Sequence, residues 1–195
     1  NNNDLLKSKQ NEIQKIRGKK ISAIFQEPMT SLNPLHTVEK QINEILMIHS
    51  SISYSEATKK TKKLLYKVGL EKISERIKAY PHELSGGQRQ RVMIAISIAN
   101  NPDLLIADEP TTSLDVTVQS QILDLIKKLQ QKMNMSILFI SHDLAVVKKI
   151  ADYVCIMKDG EIVEKNSKGN IFSNPQHNYT KKLISSQTKK KNIFK

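Results

Sequence analysis

Apolar residues recur along this chain at two periods, and the switches between them mark its elements. Residues 21–25, Ile-Ser-Ala-Ile-Phe, read as a short strand. Pro28 and Pro34 bracket a loop. From Thr37 to about Leu70 the spacing is helical. Val38, Ile42, Ile45 and Leu46 share one face, as do Ala57, Leu64, Leu65 and Val68. Tyr80-Pro81 breaks the chain, and residues 88–99 return to helix with Val92, Ile96 and Ala99 inward. Residues 103–107 and 136–140 are apolar runs suited to fully buried strands. Between them, Asp115 is placed to cap a helix carrying Val118, Ile122, Leu125, Ile126, Leu129 and Met133. Residues 144–150 form a short helix. Residues 153–157 and 161–164 form strands joined by Asp159-Gly160, a strong hairpin-turn signal. A last helix spans residues 179–186. The first twenty residues are polar and are expected to be frayed.

Strand–helix–strand alternation predicts an α/β fold, a parallel sheet with helices on its faces. In such a sheet, ligands bind beyond the carboxyl ends of the strands. Three polar sets fall there: Gln26 after the first strand, Asp108 and Glu109 after the second, and Ser141, His142 and Asp143 after the third. Any one alone reads equally as a loop residue or a helix cap. Three in register predict a shared site.

Composition narrows the classes. With 195 residues, 38% of them hydrophobic, the chain has enough for one domain with a core. No apolar run approaches the roughly 20 residues of a membrane-spanning helix. The single cysteine, Cys155, excludes an internal disulfide framework and a cysteine-built metal site, and it fits a reducing compartment. It lies on an apolar strand and is expected to be a core thiol. The net charge of +12 suggests nucleic acid until it is located. Residues 1–80 carry +7, residues 81–180 carry −1, and residues 181–195 carry +6. Of the 31 basic residues 27 are Lys, which act as point charges rather than bidentate readers. The surplus is peripheral, so Lys59, Lys60, Lys62, Lys63 and the Lys-rich tail read as solvated faces, and no nucleic-acid partner is expected.

The chemistry sits in the near-neutral centre. An apolar run ending in Asp108-Glu109 allows the Asp to hold Mg²⁺ and the Glu to orient or deprotonate a water. In Leu84-Ser85-Gly86-Gly87-Gln88, Ser85 is a natural N-cap, and two glycines let a ligand approach the backbone. The helix that follows aims free N–H groups and a positive dipole end at that spot, which suits a phosphate. Taken alone, it is also an ordinary capped turn. Arg89 and Arg91 read as decoration of that helix.

In this order and spacing the motifs resemble those of an ATP-binding-cassette (ABC) ATPase. Gln26 resembles the glutamine-loop residue, Leu84 to Gln88 the signature motif, and Leu104 to Asp108 a Walker B strand followed by the catalytic Glu109. Ser113-Leu114-Asp115 resembles the D-loop, and His142 the switch histidine. Residues 24–34, Tyr80 to Leu84, Ile106 to Thr112, Asp115 to Gln119 and Asn174 to Thr180 are similar to the peptide and nickel importer ATPases, with Asn178 where a proline is typical.

The resemblance implies a P-loop-type parallel core with an inserted helical subdomain that docks on a permease. It also implies ATP with Mg²⁺, bound head to tail between two cassettes. Gln26 and Asp108 would serve the metal, and Glu109 and His142 the attacking water and the γ-phosphate. Ser85, Gly86, Gly87 and Gln88 would face the partner's ATP, and Asp115 would bridge the cassettes. The partners implied are a second ATPase subunit, permease subunits and, indirectly, an extracytoplasmic substrate-binding protein. The place implied is the cytoplasmic face of the cell membrane.

One expected part is missing. The P-loop needs Gly-x-x-x-x-Gly-Lys-Ser/Thr, whereas the only Gly-Lys pair, Gly18-Lys19, is followed by Lys20, and position 13 is Ile. The resemblance places that motif before residue 1, so the chain reads as the C-terminal portion of a longer subunit. The organisation expected is a polar segment at 1–20, a partial ATPase domain at 21–185 and a Lys-rich tail at 186–195. Within the domain, residues 27–100 are the helical and signature part, and residues 101–165 run from the Walker B strand to the last strands. The competing readings are a catalytically dead truncated product, a nickel importer ATPase and a non-transport ABC ATPase.

Overall fold

The computed structural model describes residues 4–26, 31–112 and 114–192, with side chains described as far as residue 186. Pro28 and Met29 of the first loop, Ser113 of the D-loop match and the end of the Lys-rich tail therefore lie outside the described residues. Contacts divide the chain into two units, residues 1–140 and 141–195.

The first unit holds the parallel sheet. Strands β1 (Ile21–Ile24), β2 (Leu104–Asp108) and β3 (Ser136–Ile140) pair in that order. The register sets Ile24 beside Ala107, Ala107 beside Phe139, and Asp108 beside Ile140. All three strands run the same way, so their carboxyl ends share one edge. Ile24, Leu105 and Ala107 are wholly buried. The third strand corrects the expectation of full burial: Leu138 is 53% and Ile140 44% exposed. Among the described residues β3 is the edge of its sheet, and an unbroken apolar run does not say how many of its faces are covered.

The helices of this unit follow their caps. Residues 4–20 are more ordered than composition suggests. A 3-10 turn (Leu5–Lys7) precedes α1 (Gln10–Ile16), whose Glu12 accepts the Lys9 amide at 3.0 Å. The long helical stretch is two helices, α2 (Val38–Ile48) and α3 (Tyr54–Lys67), because Ser53 and Glu56 close a capping box that restarts the helix. A buried polar chain joins them: Thr61 donates to Asn43 at 2.6 Å, Asn43 to Thr58 at 2.9 Å, and Thr58 to Glu39 at 2.7 Å. Gly69, at φ +73°, ends α3 in the left-handed conformation that spares a glycine its steric cost. Short α4 (Glu71–Glu75) leads to α5 (Gly86–Ser97), and α6 (Val116–Met133) follows β2. Ile94 on α5, Ile98 at its C-cap, and Ile122 and Ile126 on α6 are fully buried.

The second unit comprises α7 (Leu144–Ile150), β4 (Tyr153–Lys158), β5 (Glu161–Ser167), α8 (Lys168–Ser173) and α9 (Asn178–Asn192). Asp159 and Gly160 turn the β4–β5 hairpin with φ of 52° and 83°, the positive pair that such a two-residue turn requires. Val154, Ile156 and Ile171 form its core, with Val147, Phe172 and Leu183 packed around them. Because β4 alternates, Cys155 points away from Val154 and Ile156 and is exposed, contrary to the core thiol expected. Among the described residues no helix is long and apolar enough to cross a membrane.

Candidate active site

The carboxyl edge of the sheet brings Gln26, Asp108 and Glu109 together. Asp108 closes β2 and is half-buried. Glu109 leaves the strand at φ 45°, a left-handed conformation uncommon for a residue with a side chain. Three contacts determine its place. Its N–H donates to the Ile140 carbonyl at 3.0 Å, which anchors it to the end of β3. Its Oε2 accepts from Gln26 Nε2 at 3.0 Å and from Thr112 Oγ1 at 2.9 Å. Two neighbouring strands and the turn after the second thus fix one carboxylate.

That turn continues into α6. Thr112 N–H donates to the Glu109 carbonyl at 3.1 Å, and the carboxylate of Asp115 caps α6 by accepting from Val118 N–H at 2.9 Å. Gln119 reaches back to the buried Thr111 hydroxyl at 3.2 Å.

The signature residues form a separate group at the start of α5. The Ser85 hydroxyl accepts from Gln88 N–H at 3.3 Å, and the Gln88 carboxamide accepts from Ser85 N–H at 2.9 Å. This reciprocal box leaves Ser85 and Gly86 exposed. Arg89 and Arg91 do more than decorate the helix. Arg89 donates to the carbonyls of Pro81 at 3.3 Å and Leu84 at 2.9 Å, and so anchors the 3-10 turn (Pro81–Glu83) that leads to Ser85. Arg91 donates to Val68 O at 2.6 Å, at the end of α3, and to Gln121 of α6 at 3.4 Å.

His142 is the second residue of the second unit and is exposed. The residues around it cap α7: Asp143 accepts from Ala145 N–H at 2.8 Å, and Ser141 Oγ accepts from Asp143 N–H at 3.0 Å. Sequence reasoning gave no role to Thr112, Thr111 or Gln119. The available signal was a hydroxyl three residues after Glu109 in a turn begun by Pro110.

A parallel sheet whose polar strand ends meet at one glutamate, with a Ser-Gly-Gly-capped helix between its first two strands in the chain, fits a nucleotide-binding cassette. The chain belongs to the ABC transporter family, whose model matches residues 1–112. It is 55% identical over 95% of its length to the peptidoglycan transport ATP-binding protein YejF of Agrobacterium fabrum, covering 34% of that protein. It is 52% identical over 94% of its length to the oligopeptide transport ATP-binding protein OppD of Bacillus subtilis, covering 51% of it. It is 48% identical over 95% of its length to the dipeptide transport ATP-binding protein DppD of the same organism, covering 55% of it. The chain thus spans between about a third and about a half of the length of these relatives. Among solved structures it is similar to the ATP-binding cassette MJ0796, in a dimeric post-hydrolysis state bound to ADP and Pi. The TM-score is 0.72 at 32% identity, over 83% of this chain and 68% of that one.

Proposed function

We propose that this chain is part of the ATP-binding subunit of an ABC importer that couples ATP hydrolysis to the uptake of di- and oligopeptides. The observation that carries the reading is the restrained Glu109, held by Gln26 and Thr112 where β2 ends. A carboxylate fixed by two donors starts every cycle from one geometry, as a group that orients or deprotonates a water must. Gln26 lies in contact with it and would sense both water and metal. Asp108 is a half-buried carboxylate at a strand end. It fits Mg²⁺, which takes one or two protein carboxylates and completes its shell with phosphate and water. That ion would neutralise charge on the phosphates. His142 would contact the γ-phosphate, and Ser85, Gly86, Gly87 and Gln88 would close on ATP held by a second cassette. Asp115 would bridge the two.

Peptides are favoured over nickel by the oligopeptide and dipeptide transporters among the relatives. The remaining partners of this reading are permease subunits and, through them, a substrate-binding protein, with the ATPase seated on the cytoplasmic face of the membrane. The test is Glu109→Gln in the full-length protein. ATP binding persists while turnover collapses. Undiminished hydrolysis overturns the role of Glu109.

A further inference from the structure

Gly87 has no room for a side chain. A Cβ there would stand 2.8 Å from Val118 Cγ1, whereas carbon contacts settle at about 3.5–4.0 Å. At neighbouring Gly86 a Cβ would meet Leu114 Cδ2 at 3.9 Å, an ordinary contact. Val118 cannot easily turn aside. It is β-branched, so a helix confines its side chain largely to one rotamer. Its own N–H is held by Asp115 at 2.9 Å. The next residue, Gln119, donates its N–H to the Asp115 carbonyl at 2.8 Å and its carboxamide to Thr111 at 3.2 Å. Thr112, beside Thr111, holds both the carbonyl and the carboxylate of Glu109, at 3.1 and 2.9 Å. A continuous line of contacts therefore runs from Gly87 through Val118 to Asp115, Thr111 and Glu109, all within the first unit.

We infer that Val118 is a positioning residue, whose fit against Gly87 fixes the signature turn relative to Asp115 and the Glu109 turn of the same chain. The inference rests on the ATPase reading given above. Glycines beside a phosphate site are usually explained by close approach of the ligand to the backbone. The fit to Val118 is a second requirement, and it alone predicts rescue from the far side of the contact.

The experiment is a double-mutant cycle in the full-length protein, with Gly87→Ala, Val118→Ala and the two combined. It reads kcat, KM for ATP, ATP binding at equilibrium and thermal unfolding. G87A displaces the turn by about 1 Å and lowers kcat roughly ten- to a hundredfold. Adding V118A opens the space and returns kcat to the level of V118A alone. If G87A fails to fold, recovery of folding in the double variant supports the same contact. A double variant that stays as inactive, or as unfolded, as G87A overturns the inference. A wild-type protein that does not hydrolyse ATP overturns the functional reading instead, so the two failures are distinguishable.

Discussion

The Gln26 carboxamide donates to Glu109 Oε2 at 3.0 Å across 83 residues of sequence, and it does so from just beyond the end of the neighbouring strand of a parallel sheet. This bond makes Gln26 a restraint on Glu109 as well as a neighbour of it. A hydrogen bond to a charged group is worth about 1.5–3 kcal/mol. Gln26→Ala is therefore expected to lower kcat by roughly ten- to a hundredfold. Steady-state kinetics with ATP on the full-length protein check this, and a rate within twofold of wild type contradicts it.

Asp115 has a capping role that can be separated from any role of its charge. Asn caps a helix about as well as Asp, whereas Ala costs about 1 kcal/mol. Asp115→Asn should therefore unfold with wild-type denaturant behaviour, and Asp115→Ala should be less stable by about that amount. If the charge also bridges two cassettes, Asp115→Asn loses ATPase activity while keeping its stability.

The Asn43 side chain is wholly buried and serves both Thr58 and Thr61. Asn43→Ala takes the acceptor from the buried Thr61 hydroxyl, while Thr58 still donates to Glu39, and is expected to cost about 1–3 kcal/mol, the penalty of a buried unsatisfied polar group. Urea unfolding monitored by circular dichroism measures it. The loss falls on the packing of α2 against α3, where the loosening should also show as faster amide exchange.

Glu164 of β5 latches the segment before α9 by accepting the amides of Gln176 at 2.9 Å and His177 at 3.0 Å. The Gln176 amide, first among these partners, holds the carboxyl below its ordinary value of 4.5. A depressed value means that the latch contributes fully above 4.5 and is lost as pH falls through the lower folded value. Exchange at the Gln176 and His177 amides, corrected for intrinsic rates, should accelerate below that pH. In Glu164→Gln the acceleration with acid disappears.

How much of this could be read from sequence varies with the kind of contact. Short apolar runs closed by a turn residue located β3 and α7 to the residue and β1 and β2 to within one. The Asp159-Gly160 dipeptide located the hairpin. The same runs misjudged Ile140 and Cys155, because continuity of apolar residues records neither which face is covered nor whether a strand lies at an edge. Ile13 and Ile16 alone gave too little periodicity to reveal α1, and the short α8 offers only Ile171 and Phe172 beside Gly169. Gln26 and Glu109 were legible as ends of adjacent strands. Thr112, Val118 and the tethers of Arg89 and Arg91 were not, since those depend on where a turn carries the chain after it leaves the sheet.

The exposed thiol on β4 makes a ready experimental handle. This chain holds one cysteine, and solvent reaches it. Within these 195 residues a maleimide dye or spin label would attach at position 155 alone, in the unit that also carries His142. In the full-length protein, with any cysteine outside these residues replaced, fluorescence or distance measurements could then follow that unit through nucleotide addition.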